Sequence, residues 1–174
     1  MAVSSKLSLY INKKDRPYII AVLLLGSLNH FLYEWSGQAA VIALFCPVNE
    51  SVWEHLKLLF FPFLFISVIL FIKSRAEALS FFYYSFLAVT GGLFSVIVLF
   101  YTYTGILGTN FLAADLLIFL ISVLFSFYLA SRLRRSGLQP PPQNIVFSLW
   151  IITALCFFSF TCFPPDLPLF FPPA

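Results

Sequence analysis

The sequence predicts an all-α integral membrane protein, a bundle of about five transmembrane helices with its N-terminus cytoplasmic and its C-terminus extracytoplasmic. Three observations carry that reading. Of the 174 residues, 61% are hydrophobic and only 10% charged, a balance outside that of soluble globular domains. Five apolar runs reach the length of about twenty residues that a helix needs to cross a bilayer. Nine of the ten Lys and Arg residues fall at one set of run ends, and both histidines with five of the seven acids fall at the other. By the positive-inside rule the basic ends face the cytoplasm.

Residues 1–16 form a basic N-terminal segment with Lys6, Lys13, Lys14 and Arg16. The first run, 17–35, opens on Pro17, which suits a first helical turn. It closes on His30, Glu34 and Trp35 with no small-residue cleavage pattern, so it reads as a retained helix and not a removed signal peptide. Ser36–Asn49 carries no Lys or Arg and reads as an outer loop. In the second run, 51–72, Pro62 should kink the helix unless neighbours satisfy the carbonyl it frees. Lys73–Glu77 is an inner loop. Within the third run, 79–103, Ala88 with Gly92 and Gly91 with Ser95 make two small-xxx-small pairs that allow another helix close approach. The basic-free turn Thr104–Asn110 leads to the fourth run, 111–131, which ends in Arg132, Arg134 and Arg135. Three consecutive prolines make Gly137–Asn144 a stiff cytoplasmic link before the fifth run, 145–163. Residues 17–163 are thus one transmembrane domain, and 164–174 a Pro-punctuated, extended outer tail. Tyr101, Tyr103, Trp35 and Trp53 read as interfacial anchors.

The densest polar stretch, Pro47–Lys57, lies where an outer loop becomes the second helix. Ser51 and Glu54 have capping-box spacing, and Glu54 can pair with Lys57 one turn on. Helix-start duty leaves His55 unexplained, as it does Glu50 and Glu54 four apart, where like charges repel unless a cation or proton intervenes. His30 and Glu34 share a face of the first helix. Asp115, one turn inside the fourth, is expensive unless it meets a partner or a water-filled cavity, and Ser122 and Ser126 continue its stripe. This set of imidazoles and carboxylates suits a divalent metal such as zinc, with His30, Glu34, His55 and Asp115 as ligands and Glu50 or Glu54 as general base. The chemistry would be hydrolysis or group transfer on an envelope or lipid-linked substrate. Three other readings stand beside it: an inward-facing network of ion pairs and hydrogen bonds, a proton or ion relay, and a small ion- or solute-binding transport component or accessory subunit. Cys46 and Cys162 both map to the outer side, where a disulfide or two free thiols are the alternatives.

The stretches HFLYEWSG (30–37), PVNESVWEHLKLLFFP (47–62), FYTYTGILG (100–108) and TCFPPDLPLF (161–170) resemble a family of small multi-pass membrane proteins catalogued as domain of unknown function 6512. The resemblance spans most of the chain. It implies a bacterial protein of the cell membrane with these motif residues as its signature, and it implies no activity. The expected surroundings are the lipid bilayer, a lipid-linked or small-molecule ligand, and a membrane-protein partner or a second copy. No basic surface is presented for nucleic acid.

Overall fold

A computed structural model describes residues 13–74 and 78–173. Six α-helices run through them: α1 Arg16–Trp35, the short α2 Ala40–Ala43, α3 Val52–Ser74, α4 Ala78–Leu107, α5 Leu112–Leu133 and α6 Gln143–Cys162, with 3-10 turns at Lys13–Asp15 and Pro168–Phe170. No strand occurs among the described residues. All but α2 are long and apolar enough to cross a membrane. The chain is a multi-pass membrane protein by that measure, with the five spans close to those the sequence predicts. Lys6, Arg75 and Glu77, on which part of the predicted charge asymmetry rests, lie outside the described residues.

The helices stop where their sequences require it. α4 runs to Leu107, a turn past the predicted end, and in its last turns Thr102 and Thr104 donate their hydroxyls to the carbonyls of Val98 and Phe100. Gly108, with φ +75°, then closes it by donating its N–H to the Thr104 carbonyl at 2.8 Å. Pro142 sits at the cap of α6, where a proline removes no intrahelical hydrogen bond.

The most enclosed span is α3, with 56% of its apolar window buried, and it packs on α1, α4 and α6. Pro62 leaves α3 as one helix. The carbonyl that Pro62 strips of its helical partner is that of Leu58, and it faces Gly26 of α1, where an added Cβ would come within 2.5 Å. The notch at Gly26 also receives the ring of Phe119 from α5, so α1, α3 and α5 converge there. The small-residue pairs of α4 work as the sequence suggests. Ala88 is fully buried, Gly92 lies against Ser122 and Ser126 of α5, and Ser95 donates to the Ser122 hydroxyl at 2.8 Å. Ser122 and Ser126 are therefore buried in the α4–α5 seam and do not extend a polar stripe from Asp115.

At the basic end, Arg134 after α5 reaches Asp15 before α1 at 3.2 Å. Burial pushes the Asp15 carboxyl above its usual range, and the guanidinium opposes that shift. At the other end the tail is not a free extended segment. Phe170 is buried, with its ring 4.9 Å from Trp53 and 5.4 Å from Phe160. Trp53 packs among the rings of Phe157, Phe160 and Phe170, and its buried Nε1–H finds no acceptor among the described residues.

Candidate metal centre

Six predicted site residues part into three places. His30, Glu50 and His55 come together: each offers a ligand atom, and these atoms lie within 4.8 Å of one another. His30 Nε2 is 3.7 Å from Glu50 Oε1, and His55 Nε2 is 3.3 Å from Glu50 Oε2. The geometry follows from the helix start. Ser51 caps α3 by accepting from the Glu54 N–H at 3.3 Å, and its own N–H goes to Asn49 Oδ1 at 2.9 Å. This turn places Glu50 ahead of the helix, so the predicted i,i+4 opposition of Glu50 and Glu54 on one helical face does not arise. His55, in the first turn, puts Nδ1 2.8 Å from the Ser51 carbonyl.

That last contact fixes the imidazole. A carbonyl only accepts, so Nδ1 carries the hydrogen and Nε2 presents its lone pair when the ring is neutral. The lone pair then faces the Glu50 carboxylate, another acceptor. Two acceptors at 3.3 Å require something positive between or beside them, a proton or a metal ion. An imidazole held through its far nitrogen by a backbone carbonyl is the support that metal-bound histidines use. Two imidazoles and one carboxylate make a ligand set that, for zinc, leaves a fourth position open.

Glu54 is elsewhere. It is turned into the bundle beside Lys57, whose side chain is fully buried, and the two are 2.7 Å apart. Lys57 spends its other two hydrogens on the carbonyls of Ala43 and Cys46, while Glu54 accepts from the Val48 N–H and from Thr161 of α6, both at 2.9 Å. Asn29 of α1 completes the tie, donating to the Phe45 carbonyl and accepting from the Cys46 thiol. The pair clamps the 43–48 loop to α3. Glu34 is exposed on the last turn of α1, outside the histidine group. Asp115 accepts from the Tyr103 hydroxyl at 2.5 Å, and that hydroxyl accepts from the Phe111 N–H, so Tyr103, read from the sequence as an interfacial anchor, is hydrogen-bonded to a candidate site residue.

Asp115 and the histidine group share one partly open cavity of about 560 Å³ lined by α1, α3, α4 and α5. His30, Glu50, His55 and Asp115 stand on its wall with Asn110, while Leu58, Val96, Ile118 and Phe119 form an apolar remainder. Pro172 and Pro173 of the tail close part of it.

The sequence model of a family described as "Family of unknown function (DUF6512)" matches residues 8–173. The chain belongs to the DUF6512 family. No curated protein and no solved structure matches it. The DUF6512 match spans both the loop that carries Glu50 and the segment that carries Asp115, so the whole cavity wall lies within the family's extent.

Proposed function

We propose that the protein is a metal-dependent hydrolase or transferase that acts on an envelope or lipid-linked substrate at the extracytoplasmic face of the cell membrane. One observation carries the reading: His30, Glu50 and His55 converge with the His55 Nε2 lone pair set toward a carboxylate, at the edge of a cavity. His30, His55 and Glu50 hold the ion, zinc being the best match to this donor set. A bound divalent ion would polarise an ester or phosphoryl oxygen and make water a nucleophile near neutral pH. Asp115, on the same cavity wall and braced by Tyr103, is the carboxylate available to take a proton. This assignment moves Glu50 from base to ligand and leaves Glu54 to the Lys57 clamp. Glu34 and Asp115 are not needed as ligands.

A second reading is favoured by the 67% exposure of the Glu50 side chain. A carboxylate so open exchanges its cation freely, which suits a binding or transport component that takes up an ion or solute without turnover. Metal analysis by mass spectrometry on detergent-purified protein tests the shared premise. Near-stoichiometric metal, lost in both His30→Ala and His55→Ala with helicity intact, is the expected result. Metal-free wild-type protein, with both variants folded, would leave a proton as the cation and remove the catalytic reading. Turnover of long-chain esters or phosphoesters by the loaded protein then separates enzyme from binder.

A further inference from the structure

The cavity is chemically divided, and the division names the kind of molecule that fits it. Its titratable groups, His30, Glu50, His55 and Asp115, belong to the end of the bundle where α1 finishes and α3 and α5 begin. Farther along the helices the wall is Leu58, Val96, Ile118 and Phe119, with Ser27, one turn before His30, the polar exception. A polar solute filling that space would leave its hydroxyls and amides unpaired against hydrocarbon, a penalty that a methylene chain does not incur. A wholly apolar molecule would leave the imidazoles and carboxylates without use. The flanks are apolar too: Phe31 of α1 and Leu116 of α5 line the cavity and are 49% and 57% exposed, on spans whose outer surface faces lipid. Below them the Phe119 ring, seated in the Gly26 notch, closes the space between α1 and α5.

We propose that the ligand of this cavity is a single-chain amphiphile with an anionic head, its phosphate or carboxylate at the His30–Glu50–His55 group and its hydrocarbon chain along Val96, Ile118 and Phe119, admitted from the bilayer between α1 and α5. The inference rests on the metal reading for the head alone. The chain slot is defined by apolar wall residues that touch no ion. Because bilayer and slot are equally apolar, the chain is held by being tethered to a bound head and not by transfer out of water. The head therefore gives position, and the slot gives selection of one chain.

A dodecyl phosphate carrying a diazirine at the chain end tests this in lipid nanodiscs of the full chain, with metal content measured on the same sample. After photolysis, adducts on Leu116–Phe119 should exceed those on the lipid-facing Ile151 and Leu155 of α6, which report chains dissolved in the bilayer. Val96→Trp, which fills the slot, should cut the first signal about tenfold and leave the second unchanged. Ile118→Trp serves the same purpose should Val96→Trp fail to fold. Equal labelling of the two regions, or labelling of Leu116–Phe119 that survives both tryptophans, overturns the inference. Metal bound with no local labelling sinks the amphiphile alone, whereas local labelling without metal supports the slot and removes the metal.

Discussion

Glu50 and Glu54 stand four residues apart and do opposite things. Glu54 neutralises a lysine that has no water to fall back on, and three elements hang on its two oxygens. Removing one partner of a buried pair leaves the other charge uncompensated, at a loss of about 3–5 kcal/mol. Glu54→Ala should therefore lower the melting temperature by about 6–20 °C or prevent the protein's recovery, by thermal melts in detergent, whereas Glu50→Gln should abolish metal binding and, with both proteins compared metal-free, change stability by no more than about 0.5 kcal/mol. A Glu54→Ala variant of normal stability would show that the clamp is not needed. His30, Glu50 and His55 were legible as individual candidates because imidazoles are rare in apolar runs and carboxylates costly there, but not as a group, since the pattern along the chain put Glu34 and Asp115 with the histidines and set Glu50 apart as a base. The parting of Glu50 from Glu54 was not legible either, since it depends on where α3 begins, a matter of one or two residues. Asn29, Tyr103 and Thr161 were hidden for another reason. Their partners come from other elements, at separations of 16, 12 and 107 residues, and no local pattern encodes such pairs.

At the scale of elements, span positions follow from composition, and the five helices lie where the hydrophobic runs put them. Their mutual distances are set by single small residues. Gly26 in an exposed helix would be improved by alanine, by about 1 kcal/mol of helix propensity. Here the new Cβ would press at 2.5 Å on the Leu58 carbonyl and on the Phe119 ring, and a backbone oxygen cannot rotate away. Overpacking of that kind costs about 1–3 kcal/mol, which outweighs the propensity gain. Gly26→Ala should thus lower the melting temperature, and with it displace Phe119 and widen the gap between α1 and α5. An unchanged melting temperature would mean that the helices part without loss. The sequence announced the α4 small-residue pairs because they come as a spaced pattern. It did not announce Gly26, a lone glycine whose partner is a carbonyl freed by a proline 36 positions away. The anchored tail was equally silent: a Pro-rich segment reads as extended, and Phe170 finds its seat only once Trp53 and Phe160 are brought side by side.

The whole molecule has two chemically unlike ends. The Arg134–Asp15 contact gathers the N-terminus of α1 and the C-terminus of α5, with Lys14, Arg16, Arg132 and Arg135 nearby in sequence, at one end. The histidines, Asp115 and the buried clamp occupy the other. The positive-inside rule predicts from that polarity an orientation with the histidine end outside, and the cysteines supply an internal test of it. Cys162 is exposed at the end of α6, on the histidine side. Cys46 is buried, its thiol donates to Asn29 at 2.8 Å, and burial pushes it above the usual thiol range. Such a thiol holds little of the reactive thiolate at neutral pH. Cys156 sits within an apolar span, where a charged reagent does not go. A membrane-impermeant maleimide added to intact cells should therefore modify the protein once, at Cys162, and Cys162→Ser should abolish the signal. Modification of Cys162 only after the membrane is opened would reverse the orientation and put the candidate metal centre on the cytoplasmic side, where an envelope substrate could not reach it.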